Sequence, residues 1–173
     1  IKKLKIYNDD YYYIKDEWKK YTVWKELNKK SKTLYISFSG LGINWKPTFI
    51  FYNTLSSTNY NRLFIRDTSC QWYLNGIPGL SKDVETTVEY LRKKIIESKC
   101  ENVIMIGCSA GGFGALLYGC LLNVNKIIVF NPQTYLDDKS RKLNNDNRWC
   151  NYKKLKLLQK NKNKFINLQN LNK

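Results

Sequence analysis

Gly107-Cys108-Ser109-Ala110-Gly111 lies between the apolar run at 102–106 and the helix-forming stretch at 110–122. A G-x-S-x-G pattern at a strand-to-helix turn is the arrangement that presents a serine hydroxyl for nucleophilic attack. The turn is sharp, so the residues two positions either side of the serine must be small, which Gly107 and Gly111 satisfy. Such a turn lifts the hydroxyl above a sheet and aims it at a helix N-terminus. There the helix dipole and free N–H groups stabilise an oxyanion. Gly112 and Gly114 would let the helix approach its strand closely. The competing reading is a Gly-rich packing turn with Ser109 as a helix cap. A dinucleotide fingerprint needs Gly where Ser109 stands, and a P-loop needs Gly-Lys-Ser/Thr, which is absent.

The elements that must position this serine are legible as alternating apolar strands and amphipathic helices. Residues 33–38, 62–66, 102–106 and 126–130 are short β-branched or aromatic runs, the pattern of parallel strands buried on both faces. Ser81 is a helix N-cap candidate, followed by Asp83 and Glu85 in a first turn. Val84, Val88, Leu91 and Ile95 then form one apolar stripe. The order strand, strand, helix, strand, helix, strand predicts an α/β fold, a doubly wound and mostly parallel sheet. At the N-terminus, 4–7 and 11–14 suit a hairpin around Asn8-Asp9-Asp10, and an amphipathic helix over 11–29 is the alternative. After Asp138 the chain turns Lys- and Asn-rich, with a helix expected near 152–159 and one more strand at 164–168. The reading is one domain over 1–173, with its core at 33–138 and a Lys/Asn-rich segment at 139–173.

The formal net charge is +16 over 173 residues, carried by 25 Lys and only 5 Arg. Specific nucleic-acid readers rely on the planar Arg fork, so this bias predicts a solvated Lys-rich surface and no specific nucleic-acid partner. No run of eighteen apolar residues occurs, so no membrane span is expected. Cys70, Cys100, Cys108, Cys120 and Cys150 are odd in number and lack C-x-x-C spacing. They predict free, mostly buried thiols in a reducing, cytoplasmic setting. With no His and no paired Cys, no metal site is expected, and no cofactor motif is present.

Through residues 33–138, and above all through 103–114, the chain resembles the α/β-hydrolase superfamily of serine esterases and acyltransferases. That resemblance implies Ser109 as nucleophile on the elbow, with oxyanion N–H groups from Ala110 and from the Ser39-Gly40-Leu41-Gly42 loop, at Gly40 and Leu41. An ordinary tight turn is the alternative for that loop, which lacks the His-Gly dipeptide many esterases carry there. Arg66 to Gly76 follows the second strand, where loops line the pocket, and Trp72 and Tyr73 could stack on a sugar or acyl group. Arg66 and Asp67 bracing that loop is the structural alternative. Together with Asn131-Pro132-Gln133-Thr134, this loop is similar to hydrolase-like proteins of bacterial surface-polysaccharide loci.

One departure from the superfamily pattern is serious. The triad requires a histidine, and the sequence contains none. Asp137 and Asp138 follow the strand after the elbow, where the superfamily can place its acid, and Asp137 is the candidate. A Ser-Asp dyad needs Asp before Gly or Ala, and no Asp here is so placed. The chain begins with Ile, so it is expected to be truncated, with the base histidine beyond Lys173. The expected function is serine-dependent hydrolysis or transfer of a small-molecule or glycan acyl ester. The alternative is a catalytically silent hydrolase-like scaffold or binding domain, for example in surface glycan assembly.

Overall fold

The computed structural model describes residues 22–27, 30–161 and 163–171. Strands β1 (Val23–Glu26), β2 (Thr33–Phe38), β3 (Asn61–Ile65), β4 (Asn102–Cys108) and β5 (Lys126–Phe130) form one sheet in the order β1-β3-β2-β4-β5. The pairs β3–β2, β2–β4 and β4–β5 are parallel, and β1 joins β3 antiparallel. All four expected strands thus lie in one parallel sheet, with β4 inside it. Val23–Glu26 is a strand where the helical alternative over 11–29 would have run. The remainder of that alternative, and the 4–7/11–14 hairpin, lie outside the described residues.

The strands alternate with a period of two between two cores. Leu34, Ile36 and Phe38 of β2, Leu63 and Ile65 of β3, and Val103 and Met105 of β4 enter the larger core. Val84 and Leu91 of α2 (Val84–Ser98) and Phe113, Leu117 and Tyr118 of α3 (Ala110–Leu122) complete it. Phe64 and Ile106 point to the other face, where Leu55 of the short helix α1 (Tyr52–Ser56) covers them. Helix α1 therefore lies on one face, and α2 and α3 on the opposite one.

The cap of α2 is Asp83 and not Ser81. The Asp83 carboxylate accepts from Thr86 N at 2.8 Å while Thr86 Oγ1 accepts from Asp83 N at 3.2 Å, a reciprocal capping box. Ser81 Oγ instead accepts from Ile77 N at 2.8 Å and fixes the preceding turn. Past β5, α4 (Asp138–Leu143) and α5 (Lys153–Lys160) follow, and Leu155, Leu158 and Ile166 reach the larger core. Residues 164–168 do not make the expected strand. A single bridge joins Tyr135 to Asn167, and a 3-10 turn follows at Leu168–Asn170.

The winding of the sheet selects one place for a site. From β2 the chain steps outward to β3 over the α1 face, whereas β4 leads the other way to β5 over the α3 face. The connections after β2 and β4 therefore diverge, which makes the carboxyl ends of these adjacent strands the switch point of the sheet, the place where open α/β sheets form a ligand crevice. The Gly40 loop and Ser109 stand on its two sides. Among the described residues no helix is long and apolar enough to cross a membrane. All five cysteines are free, but only Cys70 is buried. Cys100 and Cys108 are half-buried, and Cys120 and Cys150 are exposed, so the expectation of mostly buried thiols does not hold.

Candidate active site

Ser109 joins β4 to α3 with φ 55° and ψ −122°. Lys99 and Asn123, which end α2 and α3, also have positive φ but lie in the ordinary left-handed well, at ψ 27° and 52°. The Ser109 ψ takes it out of that well into backbone space sparsely populated by side-chain-bearing residues, a strain of order 1–3 kcal/mol that surrounding structure must hold. Two backbone bonds hold it: Ser109 N donates to Phe130 O at 2.9 Å, and Phe113 N donates to Ser109 O at 3.1 Å. The Ser109 side chain makes no capping hydrogen bond to the helix. The strain is thus not explained by capping, and Ser109 is half-buried at the helix entrance.

The motif glycines answer to close contacts. A Cβ on Gly107 would fall 2.1 Å from Gly111 O, so the elbow could not close over a side chain there. A Cβ on Gly40 would lie 3.2 Å from Cys108 O and 3.6 Å from Ser109 Cβ, which places the Gly40 backbone directly beside the elbow. Ala110 is fully buried and opens α3, where first-turn N–H groups have no acceptor within the helix. Leu41 is buried, and Gly42 turns the chain into a tight hairpin closed by the Ile43–Lys46 bridge. The Gly40 loop, Ala110 and Ser109 thus converge on one crevice. N–H groups from both sides can meet charge developing there.

The loop after β3 differs from expectation. Trp72 and Tyr73 are both 0% exposed, so in this conformation neither ring has a face for a ligand. Trp72 Nε1 donates to Gln133 Oε1 at 3.3 Å, and Tyr73 Oη donates to Ser39 O at 2.7 Å. Asp67 folds them inward. Its Oδ1 accepts from Ser69 N at 3.0 Å and from Ser69 Oγ, and its Oδ2 accepts from Gln71 N at 2.6 Å and Tyr73 N at 3.0 Å. Arg66 is likewise buried, its guanidinium 4.1 Å from the centroid of the Phe49 ring, and desolvation lowers its pKa to about 10. The bracing alternative describes this loop, and through the Tyr73–Ser39 bond it steadies the Gly40 loop from below.

Asp137 follows β5, as expected, and there it caps α4. Its carboxylate accepts from Ser140 N at 2.8 Å and from Asn167 Nδ2 at 2.9 Å. Burial pushes its pKa up, but the bonds from Ser140 and Asn167 outweigh that and hold it below the usual carboxylate value. The partners of the Asp137 carboxylate are thus Ser140 and Asn167, and among the described residues no group of three or more His, Cys, Asp or Glu is placed to hold a metal.

Sequence reasoning missed an aromatic corner next to the Gly40 loop. Trp45 lies parallel to Tyr152, ring centroids 3.8 Å apart, and meets Trp149 at 5.3 Å and 65°. No local signal joins residues about a hundred positions apart. The only hint was two tryptophans in otherwise polar segments.

No protein-family model matches the chain, and no curated protein matches it. Solved structures do. The capsule O-acetyltransferase of Neisseria meningitidis serogroup A, as a His-to-Ala mutant in complex with CoA, is 21% identical with a TM-score of 0.56, over 69% of this chain and 51% of that one. The same acetyltransferase in complex with caged gadolinium is 19% identical with a TM-score of 0.61, over 86% and 61%. The glycosylation-associated protein complex of Streptococcus agalactiae is 17% identical with a TM-score of 0.57, over 86% and 28%. At these identities the likeness is one of fold, and the chain spans between half and two thirds of the acetyltransferase chains.

Proposed function

We propose that this chain carries the nucleophile half of a serine acyltransferase of α/β-hydrolase type that acylates hydroxyl groups of a surface glycan, and that 1–173 belong to one domain. The observation that carries the proposal is the strained Ser109, its side chain free of capping, at the crevice between β2 and β4. In this reading Ser109 Oγ attacks the acyl carbonyl of an activated donor, and N–H groups of Ala110, Gly40 and Leu41 stabilise the oxyanion. The fold neighbours support a thioester donor of the CoA type, which is a substrate of the reaction. The Oγ–acyl bond forms as the donor's C–S bond breaks, and the serine proton passes through a base to the leaving thiolate. The acceptor hydroxyl then attacks the acyl-enzyme and returns its proton to Ser109 by the same base.

No histidine occurs in the 173 residues, so we assign the base to a histidine outside them and keep Asp137 as the candidate acid. The missing histidine also favours the second reading, a silent hydrolase-like scaffold. Fluorophosphonate labelling of this chain and of its full natural protein decides between them. The acyltransferase reading requires labelling of the full protein at Ser109, lost in Ser109→Ala, and almost none in the 173-residue chain. A full protein without histidine after the sheet, and without labelling, leaves the scaffold.

A further inference from the structure

Trp45 and Trp149 are each 39% exposed, although burying large aromatic rings is strongly favourable. Both have backbone at φ 60°, a conformation bulky residues rarely adopt. Their support is rigid. Tyr152 lies under Trp45 with an interplanar angle of 3°, its Oη donates to Cys70 O at 3.1 Å, and the buried Trp72 sits 5.9 Å beyond it. Cys70 Sγ in turn lies 3.3 Å from Trp45 O and 3.9 Å from Leu41 O, tying the rings to the loop beside Ser109. Trp45 is five residues from Gly40, at most ~18 Å along an extended chain and less through the 42–47 hairpin.

We infer that Trp45 and Trp149, backed by Tyr152, form the acceptor platform of this site and stack on a pyranose ring of an anionic glycan. The inference rests on the acyltransferase reading, since it assigns the rings to that site's acceptor. The shape selects a sugar over a planar base: the parallel slot between Trp45 and Tyr152 is already closed at 3.8 Å. What stays exposed is the outer indole surface of this edge-to-face pair, suited to the C–H face of a puckered ring. Charge selects an anionic chain. Lys46 and Lys153 flank the rings in sequence and are exposed, the nearby Asp146 is paired with Arg148 at 2.9 Å, and the whole chain carries +16, although the ammonium of Lys154 is taken up by Ser69 O.

The experiment applies uronate-, sialate- and phosphodiester-containing hexasaccharides, with neutral dextran oligomers and CoA as controls, to the 173-residue chain by calorimetry. At least one anionic hexasaccharide binds. Affinity falls tenfold or more in Trp45→Ala and Trp149→Ala, is partly restored in Trp45→Phe and weakens with added salt. Should the alanine variants melt early, indole 15N resonances of the wild-type chain decide: shifts at Trp45 and Trp149 on adding sugar support the platform, and shifts confined to other tryptophans overturn it. Failure of every anionic hexasaccharide to bind, unaltered affinity in both variants, or Trp45-dependent binding of CoA in place of sugar also overturns it. Sugar binding intact in a full protein that transfers no acyl group retains the platform and removes the acyltransferase. Normal transfer by both tryptophan variants does the reverse.

Discussion

A Cβ on Gly111 would lie 2.0 Å from the carbonyl oxygen of Phe38, so α3 begins in backbone contact with the end of β2. This contact brings the helix N-terminus, the elbow and the Gly40 loop into one crevice. The obstacle is backbone, which cannot swing aside as a side-chain tip can. Gly111→Ala is therefore expected to lose about 3 kcal/mol or more, or to yield no folded protein. Urea unfolding measures it, and wild-type stability in this variant would show that α3 does not rest on β2.

Gly40→Ala separates folding from chemistry. Its Cβ would meet Cys108 O at 3.2 Å, a contact relieved by a few tenths of an ångström, so the stability loss should stay under about 1.5 kcal/mol. The same methyl would stand 3.6 Å from Ser109 Cβ, beside the proposed oxyanion donors. Fluorophosphonate labelling of the full protein should slow by about 10- to 100-fold. Unchanged labelling would remove Gly40 from the oxyanion site.

The parallel sheet was readable because burial on both faces demands continuous apolar strands, as at 102–106. The α2 stripe was readable because Val84 and Leu91 repeat at helical spacing. What escaped was set by tertiary contact. Val23–Glu26 is four residues with no apolar run, and it is a strand because the edge of β3 accepts it. Helix α1 is only five residues long, too short to show a period. Trp72 and Tyr73 read as ligand-facing because loops at strand ends line pockets; the four bonds to Asp67 that turn them inward carry no sequence signature.

Asp67→Ala should therefore damage the site from below. Removing the carboxylate orphans the Ser69, Gln71 and Tyr73 amides and the Ser69 hydroxyl it now satisfies. The expected loss is about 3 kcal/mol, with Asp67→Asn intermediate because it keeps one acceptor oxygen. Near-UV circular dichroism should weaken as Trp72 and Tyr73 lose their packing. Full retention of that signal and of stability would mean that the loop is held otherwise.

The thiols should sort by environment. Cys70 is buried, and burial, aided by the Asp67 charge, pushes its pKa up to about 11. At pH 8 only about one molecule in a thousand carries its thiolate. Under native conditions an aromatic disulfide reagent should modify the exposed Cys120 and Cys150 first and leave Cys70 until the chain is unfolded. Peptide mass mapping reads the order, and early modification of Cys70 would contradict the closed loop over Trp72.

Asp137 can be judged by pH and by rate together. Its folded-state pKa is depressed, because bonds from Ser140 and Asn167 to the carboxylate outweigh its burial. A depressed pKa adds stability that is full above the unfolded value, near 4, and is lost as pH falls through the folded value. Asn caps a helix about as well as Asp but does not titrate. Asp137→Asn should thus be slightly less stable than wild type at pH 7, and the difference should shrink as pH falls from the unfolded value and vanish once it is below the folded one. A difference that persists there would mean that the carboxylate charge is not what is lost. Rate gives the other half of the test. An acid orienting a histidine base contributes about 10³- to 10⁴-fold, far more than a cap could. If Asp137→Asn lowers labelling at Ser109 in the full protein by that much, the residue serves catalysis as well as α4. If labelling is unchanged, Asp137 is a cap alone, and the proposed triad must take its acid from another residue.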